Sequence, residues 1–268
     1  MTAITTRTRP PRPSTTRDAP LGAWRLEWLR LIRTPRLLAL IAVYAFFGLL
    51  GPVLARYMRQ LLEHTQSNLT ITAAEPEPVD AITNFVGQVN QTALVVAVVV
   101  AAGSLAFDSR RGISTFLRTR TTTMRELLVP RYTVSAAAVV SAYLVGTLAA
   151  WYETSLLIGP LPATDVAYGF LCGATYLLFA VAVPAAAASL ARTVLGTVGI
   201  AVGLLLVLPV LGSLSVLHDW LPSSLATAPV DLLGPVGLSD YLPAFGVTGT
   251  ACAVLLLFAG HRLAHREL

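Results

Sequence analysis

Residues 108–131 read DSRRGISTFLRTRTTTMRELLVPR. Six arginines (Arg110, Arg111, Arg118, Arg120, Arg125 and Arg131) stand there among two acids, Asp108 and Glu126. Long apolar runs flank the stretch on both sides. Membrane proteins keep such loops on the cytoplasmic side, because translocating dense positive charge is disfavoured. The stretch therefore reads as a cytoplasmic loop, and it orients the rest of the chain.

The composition agrees with a bilayer solvent. Hydrophobic residues make up 55% of the 268 positions and charged residues 12%, about half of what a soluble domain carries. The mean hydropathy is +0.69. The length fits six spans with short loops and leaves no room for a second folded domain. All 19 basic residues are arginine. Without lysine the chain has no standard P-loop, whose Lys contacts the nucleotide phosphates, and no Schiff-base chemistry. The arginines gather at the ends of apolar runs, which is the pattern of membrane topology and anionic lipid contact rather than nucleic-acid binding. Cys172 and Cys252 both fall inside apolar runs, where small buried hydrophobes are expected.

Upstream, residues 1–20 are rich in Thr, Pro and Arg and read as a disordered cytoplasmic tail. They do not read as a signal peptide, because the first long apolar run begins near Leu37. Residues 21–36 (LGAWRLEWLRLIRTPR) predict an amphipathic interfacial helix. Leu21, Trp24, Trp28, Leu31 and Ile32 share one face, with Glu27, Arg30 and Arg33 on others. Thr34-Pro35 then breaks the helix before the first span.

Six spans follow by hydropathy, at roughly 37–55, 86–107, 132–158, 166–190, 194–217 and 242–260. Gly51-Pro52 predicts a kink in the first, and residues 60–85 a polar outer loop. Gln88, Asn90 and Gln91 either line a polar pathway or mark a helix emerging into the interface. Glu153 sits beside Trp151 and Tyr152 at the outer end of the third span, where Arg56 is a candidate partner. Pro184 and the four alanines after it allow close helix approach, as does Gly199-xxx-Gly203, within one subunit or between two. Residues 218–241 are too polar and too broken by Pro and Gly to span, and predict short interfacial or re-entrant helices. With both termini inside, 17 arginines lie on the cytoplasmic side and two, Arg56 and Arg59, outside.

Catalytic patterns are absent from the sequence. His64, His218, His261 and His265 lie at or beyond span ends, so Ser104 has no base at depth, and no HExxH occurs. His261 and His265 are four apart without an acid to complete a metal site. No catalytic, cofactor or metal residues are expected. A proton- or ion-coupled carrier would keep ionisable groups near mid-bilayer, and this chain has almost none.

The order of parts resembles the permease subunits of bacterial ABC-2-type exporters, over essentially the whole chain after residue 20. The resemblance rests on RLIRTPRLLAL running into the first span, on the loop FDSRRGISTFLRTRTTTMRELLVPRY and on the broken segment before the sixth span. In that family the loop often carries an acid, a Gly, an apolar helix, a Pro-bearing turn and a new helix. Asp108, Gly112, Phe116-Leu117 and Glu126-Leu127 occupy comparable places. Arg120-Thr121-Thr122 departs from the pattern, with Pro130 coming later. The resemblance implies an all-α fold for residues 21–268, with a cytoplasmic coupling helix between spans two and three. It further implies a plasma-membrane efflux system in which two permeases, alike or different, pair with two separate ATPase subunits. ATP would be used by the partner and none bound here. Within the loop, Ile113, Phe116 and Leu117 share a helical face, Thr123 and Glu126 have capping-box spacing, and Pro130 predicts a kink. The implied coupling set is Arg110, Arg111, Ile113, Phe116, Leu117, Arg118, Arg120, Arg125 and Glu126. A secondary carrier and a non-transporting scaffold or accessory subunit are the alternative classes.

Overall fold

The computed structural model describes residues 19–65, 76–105, 125–191, 193–212 and 218–265. The regular elements among them are all helical. They are α1 (Ala19–Arg33), α2 (Pro35–Thr65), α3 (Pro78–Gln88), a π-turn (Val89–Ala93), α4 (Leu94–Leu105), α5 (Arg125–Leu157), α6 (Ala163–Leu190), α7 (Val194–Gly212), α8 (Pro222–Asp231) and α9 (Leu242–Ala264). Short 3-10 turns occupy His218–Trp220 and Leu238–Tyr241. Six stretches among the described residues are long and apolar enough to cross a bilayer: Pro35–Tyr57, Pro78–Leu105, Leu128–Leu157, Ala163–Leu190, Val194–Gly212 and Leu238–Ala264. By length and apolarity the chain is an all-helical, multi-pass membrane protein. Helices are the form such a chain must take, since hydrocarbon offers no partner to an open backbone.

Two boundaries differ from the sequence expectation. The first span ends at Tyr57, close to the expected Ala55, but helix α2 runs on to Thr65 into the stretch expected to be loop, continuous through Gly51-Pro52. Gly51 serves contact instead: a Cβ there would lie 3.0 Å from the Ala81 carbonyl oxygen and the Phe85 nitrogen of α3. The second span begins at Pro78, well before Val86. Pro78 sits at the start of the helix, and the Glu77 backbone N–H donates to the Asp80 carboxylate at 2.9 Å. Polar residues start this helix, so hydropathy alone placed its beginning too late.

Helix α6 is the hub. It packs on α4, α5, α7, α8 and α9. Most of its apolar stretch is buried, whereas the outer helices α7 and α9 are largely exposed. Pro184 through Ala188 are all buried, so the run of small residues does let neighbours close in. Several hydroxyls inside the spans bond to their own helix: Thr154 donates to the Ala150 carbonyl at 2.6 Å, Thr175 to Leu171 at 2.8 Å and Ser189 to Ala186 at 2.6 Å. Between helices, the Ser104 and Ser135 hydroxyls meet at 2.8 Å.

The most extensive pairing is α2 against α5. It crosses at Gly48 and Gly146. A Cβ on Gly48 would overlap the Gly146 carbonyl, and one on Gly146 would lie 2.7 Å from the Tyr44 carbonyl oxygen. By contrast Gly199 and Gly203 are exposed, and a Cβ on either meets nothing within 4 Å. The GxxxG signal in α7 thus makes no packing contact among the described residues. Gly146→Ala should cost about 1–3 kcal/mol through overpacking, and Gly199→Ala should be near neutral. Unfolding of the detergent-solubilised protein in increasing SDS measures both; equal costs would contradict the crossing.

Candidate functional site

The basic loop that organises the sequence lies mostly outside the described residues, including Arg110, Arg111, Ile113, Phe116, Leu117, Arg118 and Arg120. Arg125 and Glu126 form the first turn of α5, and their side chains are likewise outside the description. The structure does describe where the loop delivers the chain. Helix α5 runs unbroken through Pro130, which lies in its second turn, and Arg131 follows it.

Arg131 meets α1. Its Nε donates to Glu27 Oε1 at 3.0 Å, and the two side chains are 8% and 15% exposed. Arg30 Nη1 reaches the same carboxylate oxygen at 2.9 Å, but Arg30 is 58% exposed. Arg30 and Glu27 are three apart on one helix, a geometry that contributes a few tenths of a kcal/mol. The Arg131 contact joins two elements in a largely buried place, so it is the one that positions α1. Thr34 ends α1 by turning its hydroxyl back to the Arg30 carbonyl at 2.7 Å. Pro35 then opens α2.

The predicted amphipathic helix is present over Ala19–Arg33, but its faces are not those of a simple apolar stripe. Leu31 packs against the core, while Trp24, Trp28 and Ile32 are exposed, as are Leu26 and Leu29. Glu27, expected on a polar face, turns into the bundle. Sequence reasoning missed its role because the partner lies 104 residues away. An acid inside an apolar-faced helix is the only signal, and it names no partner.

A second polar locus lies deeper. At the π-turn the Leu94 N–H bonds to the Val89 carbonyl, one residue further back than in an α-helix. Within that turn Asn90 donates from Nδ2 to the Ala226 carbonyl of α8 at 3.1 Å. Gln91 and Thr92 are exposed and Gln88 is half-buried. Of the two readings of this polar run, Asn90 now has a structural task, tying α8 to span two. A cavity beside it, bordered by Tyr143, Gly173, Tyr176 and Ala226, measures about 10 Å³, room for one water. Asn90 stands twelve residues into the span from Pro78, about 18 Å along it.

The remaining candidates resolve simply. Arg56 is exposed, and no ion pair joins it to Glu153. Instead Glu153 has a buried carboxylate oxygen without a hydrogen-bond partner among the described residues. Cys172 is buried and Cys252 half-buried, both as free thiols. Cys252 Sγ lies 3.2 Å from the Tyr132 hydroxyl. The His261 and His265 rings sit 4.3 Å apart, and no group of three His, Cys, Asp or Glu among the described residues could hold a metal.

No protein-family model matches this chain, and no curated protein matches it either.

Glu27→Gln should lower stability by about 1.5–3 kcal/mol, the worth of a hydrogen bond to a charged group. Arg30→Gln should stay within about 0.5 kcal/mol. In a double-mutant cycle Glu27 and Arg131 should show coupling, and SDS-titrated unfolding reads it out; additive costs would dissociate α1 from Arg131.

Proposed function

We propose that this chain is the membrane-spanning permease subunit of an exporter of the ABC-2 type, driven by a separate ATPase subunit. One observation carries the reading. Arg131, in the second turn of the helix that follows the basic loop, is ion-paired to Glu27 of α1. A force applied to that loop from the aqueous side would reach α1 and the start of α5 together. A motor subunit with no span of its own needs such a handle.

Other features support the same reading. The arginines of α1, of the loop and of the tail gather toward the ends of spans one, two, three and six that the threading puts on a single side, which becomes the cytoplasmic side with both termini there. The segment before the sixth span folds as α8, buried against α6 and α3 at the level of Asn90, in the manner of a re-entrant helix entering from the outer side. In this reading the path for cargo forms between two permease subunits, and the exposed Gly199 and Gly203 of α7 are available for contact between them. Cargo would be moved outward across the plasma membrane. In this reading Phe116 and Leu117, with the flanking arginines, dock the ATPase, and ATP is bound only by that partner.

Affinity purification of the tagged full chain from its native membranes should recover a soluble ATPase with Walker motifs. Phe116→Glu with Leu117→Glu should release that ATPase, with the permease still expressed at its normal level. Retained assembly and retained ATP-driven transport in the double variant would remove the docking role. Transport that follows a proton gradient without ATP would instead make the chain a secondary carrier. Neither a partner nor transport would leave a scaffold.

A further inference from the structure

A groove of about 470 Å³ opens between α1 and α5. Trp24, Arg25 and Trp28 form one wall, and Thr133, Val134 and Ala137 the other. The α5 wall is apolar in effect, because the Thr133 hydroxyl is already spent on its own helix, on the Val129 carbonyl at 2.9 Å and the Pro130 carbonyl at 3.1 Å. From Thr133 to Ala137 that wall runs about 6 Å along α5. The α1 wall carries two indoles, side chains that favour the boundary between headgroup and hydrocarbon.

Charge decides the occupant. Arg25 is exposed at the groove, and among the described residues it has no acidic partner. The one carboxylate of α1, Glu27, is held by Arg131 and Arg30. A cation is thus left over an apolar trough of a size that suits a bound small molecule. The trough also lies where α1 meets the span-forming α5, and α1 lying in the membrane interface would set it at the depth where phospholipid headgroups end and acyl chains begin.

We propose that this groove binds one anionic phospholipid of the leaflet on the α1 side, with the headgroup on the Arg25 guanidinium and an acyl chain along Val134 and Ala137. Attraction to the phosphate shared by all phospholipids would not discriminate among them. The extra negative charge of a lipid such as phosphatidylglycerol, beside an otherwise uncompensated arginine, does. The site is independent of any ATPase partner and of the transport reading.

The indoles supply the readout. The tryptophans are Trp24, Trp28, Trp151 and Trp220, so Trp151→Phe with Trp220→Phe leaves fluorescence only at the groove. This full-length protein would be reconstituted in phosphatidylcholine vesicles containing either brominated phosphatidylglycerol or brominated phosphatidylcholine at equal mole fraction. Quenching should favour phosphatidylglycerol by about fivefold in apparent affinity, the worth of one basic residue at a membrane surface. Arg25→Gln should abolish the preference, and the exposed Arg33→Gln, off the groove, should keep most of it. Ala137→Phe, which fills the trough, should reduce quenching by both lipids. Excess inorganic phosphate should leave the preference intact. Equal quenching by the two lipids, an equal loss in Arg25→Gln and Arg33→Gln, or displacement by inorganic phosphate would each overturn the proposal.

Discussion

Backbone touches backbone where α2 crosses α5, at Gly48 and Gly146, and this is the most extensive helix pairing in the bundle. In lipid the hydrophobic effect does not draw helices together, because the acyl chains are as apolar as the side chains. Association must come from close packing, and close packing requires small residues at the crossing. The contact sets up an aromatic core beside it. Tyr143 stands one turn before Gly146 and meets Tyr44 edge-on at 6.1 Å, Phe85 stacked at 6.2 Å and Phe170 stacked at 5.5 Å. One side chain of α5 therefore ties α2, α3 and α6 together.

The same principle admits α8. Gly169 of α6 lies against Pro229, where a Cβ would come within 2.8 Å of the Pro229 Cα. Gly173 leaves space that the Tyr143 hydroxyl fills. Two glycines one turn apart thus make a seat for a short helix on one side and for a tyrosine on the other. Polar bonds then fix α8 in place: Asn90 holds the Ala226 carbonyl, and the Tyr241 hydroxyl donates to Asp231 at 3.0 Å. The π-turn belongs to this arrangement, since its added residue changes the register of span two at Asn90. A short polar helix can sit at this depth because protein surrounds it.

At the other face the bundle is tied to its surface helix by charge. Glu27 would be costly in an apolar setting alone, and Arg131 would be too. Together they are satisfied, and the satisfaction is directional: α1 must lie against the start of α5. The tie leaves the α1–α5 groove open between them, with Arg25 at its rim. The position of α1 against α5 and the groove between them both depend on this ion pair.

Much of this was legible in the chain alone. Hydropathy sets the number of spans, because each must cover the hydrocarbon with apolar residues. The Thr34-Pro35 break marks the end of α1, and the broken run 218–241 forecasts short helices instead of a span. These are local properties, readable within a window of one or two turns or one bilayer thickness. The start of span two escaped because capping by Asp80 lets a polar sequence be helical. The pairings escaped for a different reason. Gly199-xxx-Gly203 carries the familiar packing spacing yet meets no neighbour among the described residues, while Gly48 and Gly146, on separate helices, make the crossing. Asn90 finds a carbonyl 136 residues away, and Arg131 a carboxylate 104 away. A sequence states which residues can sit in lipid, but which glycine meets which backbone depends on how whole helices rotate and slide against one another. Only the tertiary structure fixes that rotation, because van der Waals contact and a buried charge are decided within an ångström.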